Sequence, residues 1–186
     1  MSKSVHAPLR KDELSGLRAG DSVLLSGTIY TGRDAAHKRL CALLEAGEEL
    51  PIDLRNQVIY YAGPCPAKPG EAIGSCGPTT SYRMDAYAPM LCDLGLIGMI
   101  GKGPRSSAVE EAIRRNHGVY FAATGGAGAL IASCVKKAEV VSFEDLGTEA
   151  IRRLEVENMP LIVAIDAFGG NLYEEGPAAY KLHSTI

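Results

Sequence analysis

Two arginines placed beside turns are the residues of this chain best suited to chemistry. Arg33 closes the segment 26–33 (SGTIYTGR), and Arg83 lies near the end of the segment 63–85 (GPCPAKPGEAIGSCGPTTSYRMD). A guanidinium presents a planar fork that matches a carboxylate in two-point fashion. A pair of them on two loops would clamp both ends of a small dianion. Each arginine is expected at a helix start, where a cation opposes the helix dipole unless an anion offsets it. The plainer alternative is two surface arginines.

Four other polar side chains lie in or near these segments. Thr79 and Thr80 follow Gly77-Pro78. A threonine at a helix start is ordinarily a cap. As a proton-transfer group it needs a neighbouring charge, because its free hydroxyl is a very weak acid. No helper stands beside it in the sequence, so one would come from a partner chain. Lys102, in the turn Gly101-Lys102-Gly103, would let an ammonium approach a ligand, or is an ordinary exposed turn. His37 falls one helical turn after Arg33, where it either orients a ligand or shuttles a proton, or serves the fold alone.

The remaining candidates are weaker. Cys65 and Cys76 lie in one loop with no third metal ligand nearby and no His/Asp set to activate a thiol. Gly125-Gly126-Ala127-Gly128 lacks the GxGxxG spacing and an acidic partner further on, so it reads as close packing of a helix on a sheet.

The elements that must carry these groups follow from periodicity and punctuation. Residues 1–20 are polar and read as an arm or an edge segment. Residues 21–30 form a strand that breaks into a loop at Ser26-Gly27. Residues 34–44 carry leucines at helical spacing. A short strand at 57–61 leads directly into the long loop. A helix is expected over 84–94 and a strand over 97–100. Ser107 and Glu110 have capping-box spacing, and Gly118 would stop the helix they open. Strands are expected at 119–123, 139–143, 151–157 and 160–165, with a small-residue helix over 129–135 between the first two. Strands and helices alternate in the middle, so the fold class is α/β, a single domain over residues 1–186 with a mixed sheet.

The totals bound the function. The chain has 186 residues, 46% of them apolar, enough for one sizeable core. Net charge is −3 with no basic block, which argues against nucleic acid as the main partner. No apolar run reaches membrane-spanning length and the N-terminus has no signal-like apolar region, so a cytoplasmic, non-membrane protein is expected. The five cysteines are odd in number and contain no CxxC, which fits reduced thiols rather than a disulfide framework.

Taken together, SGTIYTGRDAAHKR (26–39), IYYAGPCP (59–66), GSCGPTTSYRMD (74–85), MIGKG (99–103), YFAATGGAGAL (120–130) and PLIVAIDAFGGNLY (160–173) resemble, in order and over nearly the whole chain, the β subunit of the iron–sulfur (class I) fumarate hydratase and L-tartrate dehydratase family. The same module forms the C-terminal domain of single-chain members. The resemblance implies a swivelling β/β/α domain and a hydro-lyase acting on a C4 dicarboxylic acid, fumarate/malate foremost and L-tartrate second. It implies a [4Fe-4S] cluster held by three cysteines of a partner α subunit, not by this chain, and an α2β2-like hetero-oligomer. By the same resemblance Arg33, Arg83 and Lys102 bind substrate carboxylates, His37 has a lesser orienting role, and Thr79 transfers the proton with help from a partner aspartate. Two other readings compete: a non-catalytic regulatory module that binds a dicarboxylate, and a thiol enzyme using Cys65 or Cys76.

Overall fold

The computed structural model describes residues 2–181. In chain order the elements are β1 (Lys3–Ala7), α1 (Lys11–Leu14), β2 (Ser22–Thr31), α2 (Asp34–Glu45), β3 (Val58–Tyr60), α3 (Ala88–Asp93), β4 (Gly98–Gly101), α4 (Ser107–Asn116), β5 (Val119–Ala122), α5 (Gly128–Cys134), β6 (Val135–Ser142), β7 (Ile151–Ile165) and α6 (Leu172–Tyr180). Two 3-10 turns, Ser81–Met84 and Glu144–Glu149, complete the set.

Strands β1 to β5 are parallel and adjacent in sequence order, β1-β2-β3-β4-β5. Strand β7 runs antiparallel. It pairs with β5 through its last residues and with β2 along most of its length, so the circuit β2-β3-β4-β5-β7 closes on itself. Strand β6 adds outside β7. Alternation along each strand then serves two cores. Val58, Tyr60, Ile100, Phe121, Leu154 and Val163 belong to the core of the strand circuit. Ile59, Tyr61, Met99 and Tyr120 face the opposite way, against Leu40 of α2, Leu91 of α3 and Ile113 of α4. Each such fully buried large side chain contributes about 1.5–3 kcal/mol. The mixed α/β sheet is therefore as expected, with the parallel half covered by helices on one face.

Several local expectations change. Of the two readings of the N-terminal segment, arm or edge segment, residues 2–20 take the second: β1 is an edge strand on β2, and Val5, Leu9, Leu14 and Leu17 are buried in the core. Residues 26–33 are not a loop, because β2 continues through Thr31. Gly27 adopts φ 107, where any Cβ would collide with the Ala7 carbonyl oxygen. Two β7 residues, Glu157 and Asn158, stand opposite the single Ser26, so the extra residue of the bulge lies on β7. Asn158 adopts φ 52 and its N–H donates to Ser26 Oγ at 2.9 Å, and the two strands expected at 151–157 and 160–165 are one continuous β7.

The helix expected over 84–94 is split. Pro89 fits only in the first turn of a helix, so α3 starts at Ala88 and a 3-10 turn precedes it. The Ser107–Glu110 capping box is not made. Ser106 is the N-cap residue, its N–H donates to Asp85 Oδ2 at 2.6 Å, and the Glu110 carboxylate accepts from Asn171. The left-handed residue that ends α4 is His117 (φ 55), with Gly118 N–H reaching back to Ile113 O.

Candidate active site

The sequence-selected residues gather at the carboxyl ends of β2, β3 and β4, the edge where parallel sheets with helical crossovers bind ligands. Arg33 follows β2 as the N-cap residue of α2. Its Nη2 donates to Glu149 Oε1 at 2.9 Å, and its Nε lies 3.9 Å from Asp34 Oδ2. Arg83, on the 3-10 turn after the long loop, donates from Nε to Asp34 Oδ1 at 2.8 Å. The two arginines do come together, but across a carboxylate of this chain. The anion that the helix start demanded is also internal: Glu149 Oε2 accepts from the Ala35 N–H at 2.8 Å, and Asp34 is the first residue of the helix.

Thr79 and Lys102 meet on the neighbouring strand ends. Thr79 N–H donates to Tyr61 O at 2.6 Å, Lys102 N–H donates to Thr79 O at 3.2 Å, and Ser81 N–H donates to Lys102 O at 2.8 Å. Residues 79–81 thus extend the sheet beside β4 through a parallel bridge of Thr80 to Lys102. The capping alternative fails for both threonines. Thr80 holds the N-cap position without a side-chain bond, and Thr79 precedes it with its backbone engaged. The Lys102 side chain is exposed, and its Cδ runs beside Gly125.

A buried frame fixes this segment. Tyr120 Oη lies 2.8 Å from Ser81 Oγ and donates to Gly103 O at 2.9 Å, while Gly103 N–H donates to Tyr173 Oη at 2.9 Å. Arg105, its side chain fully buried, donates to Asp85 Oδ1 at 2.7 Å and lies between the rings of Tyr61 and Tyr120. Gly101 has no room for a side chain, since a Cβ would strike Ser81 Oγ. Gly63 has a similar function under Arg33, where a Cβ would come within 2.8 Å of Nη1.

His37 lies below this surface, 0% exposed. Its Nδ1 is 2.9 Å from Arg33 O, so Nδ1 carries the proton, and Nε2 is buried without a partner among the described residues. Tyr61 meets its ring edge-on. Burial pushes its pKa down to about 4 from 6.5, so the ring is neutral near pH 7 and steadies the Arg33 backbone rather than meeting solvent. The unfolded chain therefore protonates first on acidification. The stability this group contributes is complete above pH 6.5 and is lost as pH falls toward 4, by about 1.4 kcal/mol per pH unit. Thermal unfolding followed from neutral pH to about pH 4.5 should show this slope in the native chain, and His37→Gln should flatten it. Equal slopes in the two proteins would refute the assignment.

The cysteine candidates separate. Cys76 is buried, which pushes its thiol up to about 12 and leaves it unreactive. Cys65 is exposed beside a groove of about 620 Å³ whose lining includes Ile73, Ala129, Ala132 and Val135 together with Lys68 and Glu71, but neither Arg33 nor Arg83. That groove flanks the long loop and lies apart from the arginine pair, where the charged chemistry is. Among the described residues, no three His, Cys, Asp or Glu side chains converge on a possible metal ion, and no helix is long and apolar enough to cross a membrane. Gly128, the first residue of α5, packs closely on Ser75 and Gly77 of the long loop, not on the sheet as expected of the 125–128 run.

Sequence reasoning missed Asp34, Glu149, Gly63 and the Arg105–Asp85 pair. Asp34 had a signal in its position next to Arg33 at a helix start. Glu149 had none, being 116 residues from Arg33.

Residues 3–176 match the family described as Fumarase C-terminus. The anaerobic class I fumarate hydratase of Escherichia coli (strain K12) is 39% identical over 165 residues, covering 88% of this chain and 30% of that protein. The mitochondrial fumarate hydratase 1 of Leishmania major matches with the same identity and coverage. A Methanocaldococcus jannaschii protein named "Putative L(+)-tartrate dehydratase subunit beta" is 40% identical over 173 residues, 90% of this chain and 89% of that protein. The chain thus spans about a third of the fumarate hydratases it matches and nearly all of the tartrate dehydratase subunit.

Proposed function

This chain belongs to the Fumarase C-terminus family, and from that premise we propose that it is the β subunit of a two-subunit hydro-lyase that adds water to, or removes it from, a C4 dicarboxylic acid. Fumarate and malate are the foremost substrates and L-tartrate the second. The observation that carries the reading is the pair Arg33 and Arg83 at the carboxyl ends of parallel strands, with the Nη edge of Arg83 unbonded among the described residues and its side chain 44% exposed.

Arg83 and Arg33 bind the substrate carboxylates, and Lys102 adds a third cation from the adjacent strand end. Held this way, the substrate presents the carbon next to a carboxylate to Thr79. In dehydration Thr79 Oγ takes that carbon's proton as its own hydroxyl proton passes to a carboxylate, while hydroxide leaves the neighbouring carbon, and hydration reverses these transfers. A threonine hydroxyl needs a neighbouring charge to act in this way, and by the family resemblance that activating carboxylate is assigned to an aspartate of the partner α subunit. The [4Fe-4S] cluster is likewise assigned to the partner, because the cysteines of this chain do not converge on a ligand set. The substrate site is therefore composite, in an α2β2-like assembly, and positioning plus charge neutralisation are this chain's share of the catalysis.

The test is co-expression with the α subunit, anaerobic purification, and assays of fumarate hydration and L-tartrate dehydration. The expected result is turnover by the complex on one of these substrates and none by the lone chain. A lone chain that binds dicarboxylates and forms no complex would replace the hydro-lyase with a regulatory binding module.

A further inference from the structure

We propose that Asp34 is a positioning residue that determines which edge of Arg83 is offered to a substrate carboxylate. The inference rests on the dicarboxylate reading above. Asp34 is the first residue of α2 and faces both guanidinium groups. Its Oδ1 takes the Nε–H of Arg83 at 2.8 Å. Among the described residues its Oδ2 is buried without a hydrogen-bond partner, and 3.9 Å away the Nε of Arg33 is buried and unpartnered too. That separation is too long for a direct bond.

The consequence is an asymmetric clamp. With Nε held, Arg83 can take a carboxylate only end-on, through Nη1 and Nη2. Arg33 has Nη2 committed to Glu149, and its Nη1 lies over Gly63, so it contributes a single N–H edge. Asp34 touches neither the substrate nor the reacting carbons. The carboxylates of a C4 acid are present before and after water is added, so the contacts Asp34 organises belong to bound substrate and transition state alike. Losing them raises KM more than it lowers kcat.

The test uses the assembled complex with native chain, Asp34→Asn and Asp34→Glu. It measures kinetics with the preferred substrate, the inhibition or dissociation constant of the unreactive dicarboxylate succinate, and the ¹⁵N resonances of the arginine Nε–H groups in the chain. Asp34→Asn should raise KM and the succinate constant together by about 10- to 100-fold, with kcat lowered less than about threefold. The Arg83 Nε–H resonance should move, and Asp34→Glu should recover part of the affinity. An Asp34→Asn enzyme whose Arg83 resonance moves while KM and the succinate constant stay within about twofold overturns the proposal. So does a fall in kcat at unchanged KM. A native complex that binds succinate but hydrates nothing refutes the hydro-lyase, and the succinate arm still decides Asp34. A native complex that does not bind succinate ends both.

Discussion

Arg83→Ala in the assembled enzyme is expected to lower kcat/KM by about 10²- to 10³-fold while leaving the chain folded. The size follows from truncating a charge-assisted, two-point contact to a carboxylate that is shielded from water once bound, which costs about 2–5 kcal/mol. The fold should tolerate the change. The Arg83 side chain is 44% exposed, and its one ion pair among the described residues, to Asp34, is of the partly solvated kind worth at most about 1 kcal/mol. Arg105 is the opposite case, an arginine buried between two tyrosine rings and bonded to Asp85, on which the local structure depends. Arg83→Lys keeps the charge without the planar fork and should fall between alanine and native enzyme. Steady-state kinetics beside a thermal melt decide the matter. Near-native kcat/KM for Arg83→Ala would remove the clamp from the mechanism.

Thr79→Ala is expected to act on the other kinetic constant. Removing a positioned proton-transfer group costs about 10²- to 10⁴-fold in rate. Here that loss should appear in kcat with KM changed little, because the arginines that hold the substrate are untouched. The substitution is structurally quiet. Thr79 fixes its segment through its N–H to Tyr61 and its carbonyl to Lys102, and both bonds survive in alanine. Thr79→Ser retains a hydroxyl and should keep much of the rate. A second readout is independent of net turnover: native enzyme should exchange the transferred hydrogen of the hydroxy acid with deuterated solvent, and Thr79→Ala should not. Exchange and kcat both persisting in Thr79→Ala would move the proton to another group.

Much of this architecture was legible from local sequence. The leucines of α2 and the small-residue helix α5 have the periods their environments require. The loop 63–85 stood out because its glycines, prolines and threonines fit no repeating face, and it carries both Thr79 and Arg83. Long-range closure was not legible. Strand β7 pairs with β2, more than a hundred residues earlier in the chain, and it continues past the bulge at Glu157–Asn158, where Asn158 N–H is taken up by Ser26 Oγ. The arginine pair was anticipated as an anion clamp from residue chemistry alone. That Asp34 already stands between the two guanidinium groups depended on a helix start meeting a distant 3-10 turn. The role of Thr79 came from family resemblance and had no independent signal in its neighbours.

Strand β4 and the segment 79–83 are locked by the Thr80–Lys102 bridge and by the absence of space at Gly101. For anyone wishing to alter substrate preference, this makes residues 79–83 and 101–103 a single cassette. A graft of one strip without the other would misalign threonine, lysine and arginine together. Changes of preference are better sought at the outward tips of the side chains than in the backbone that carries them.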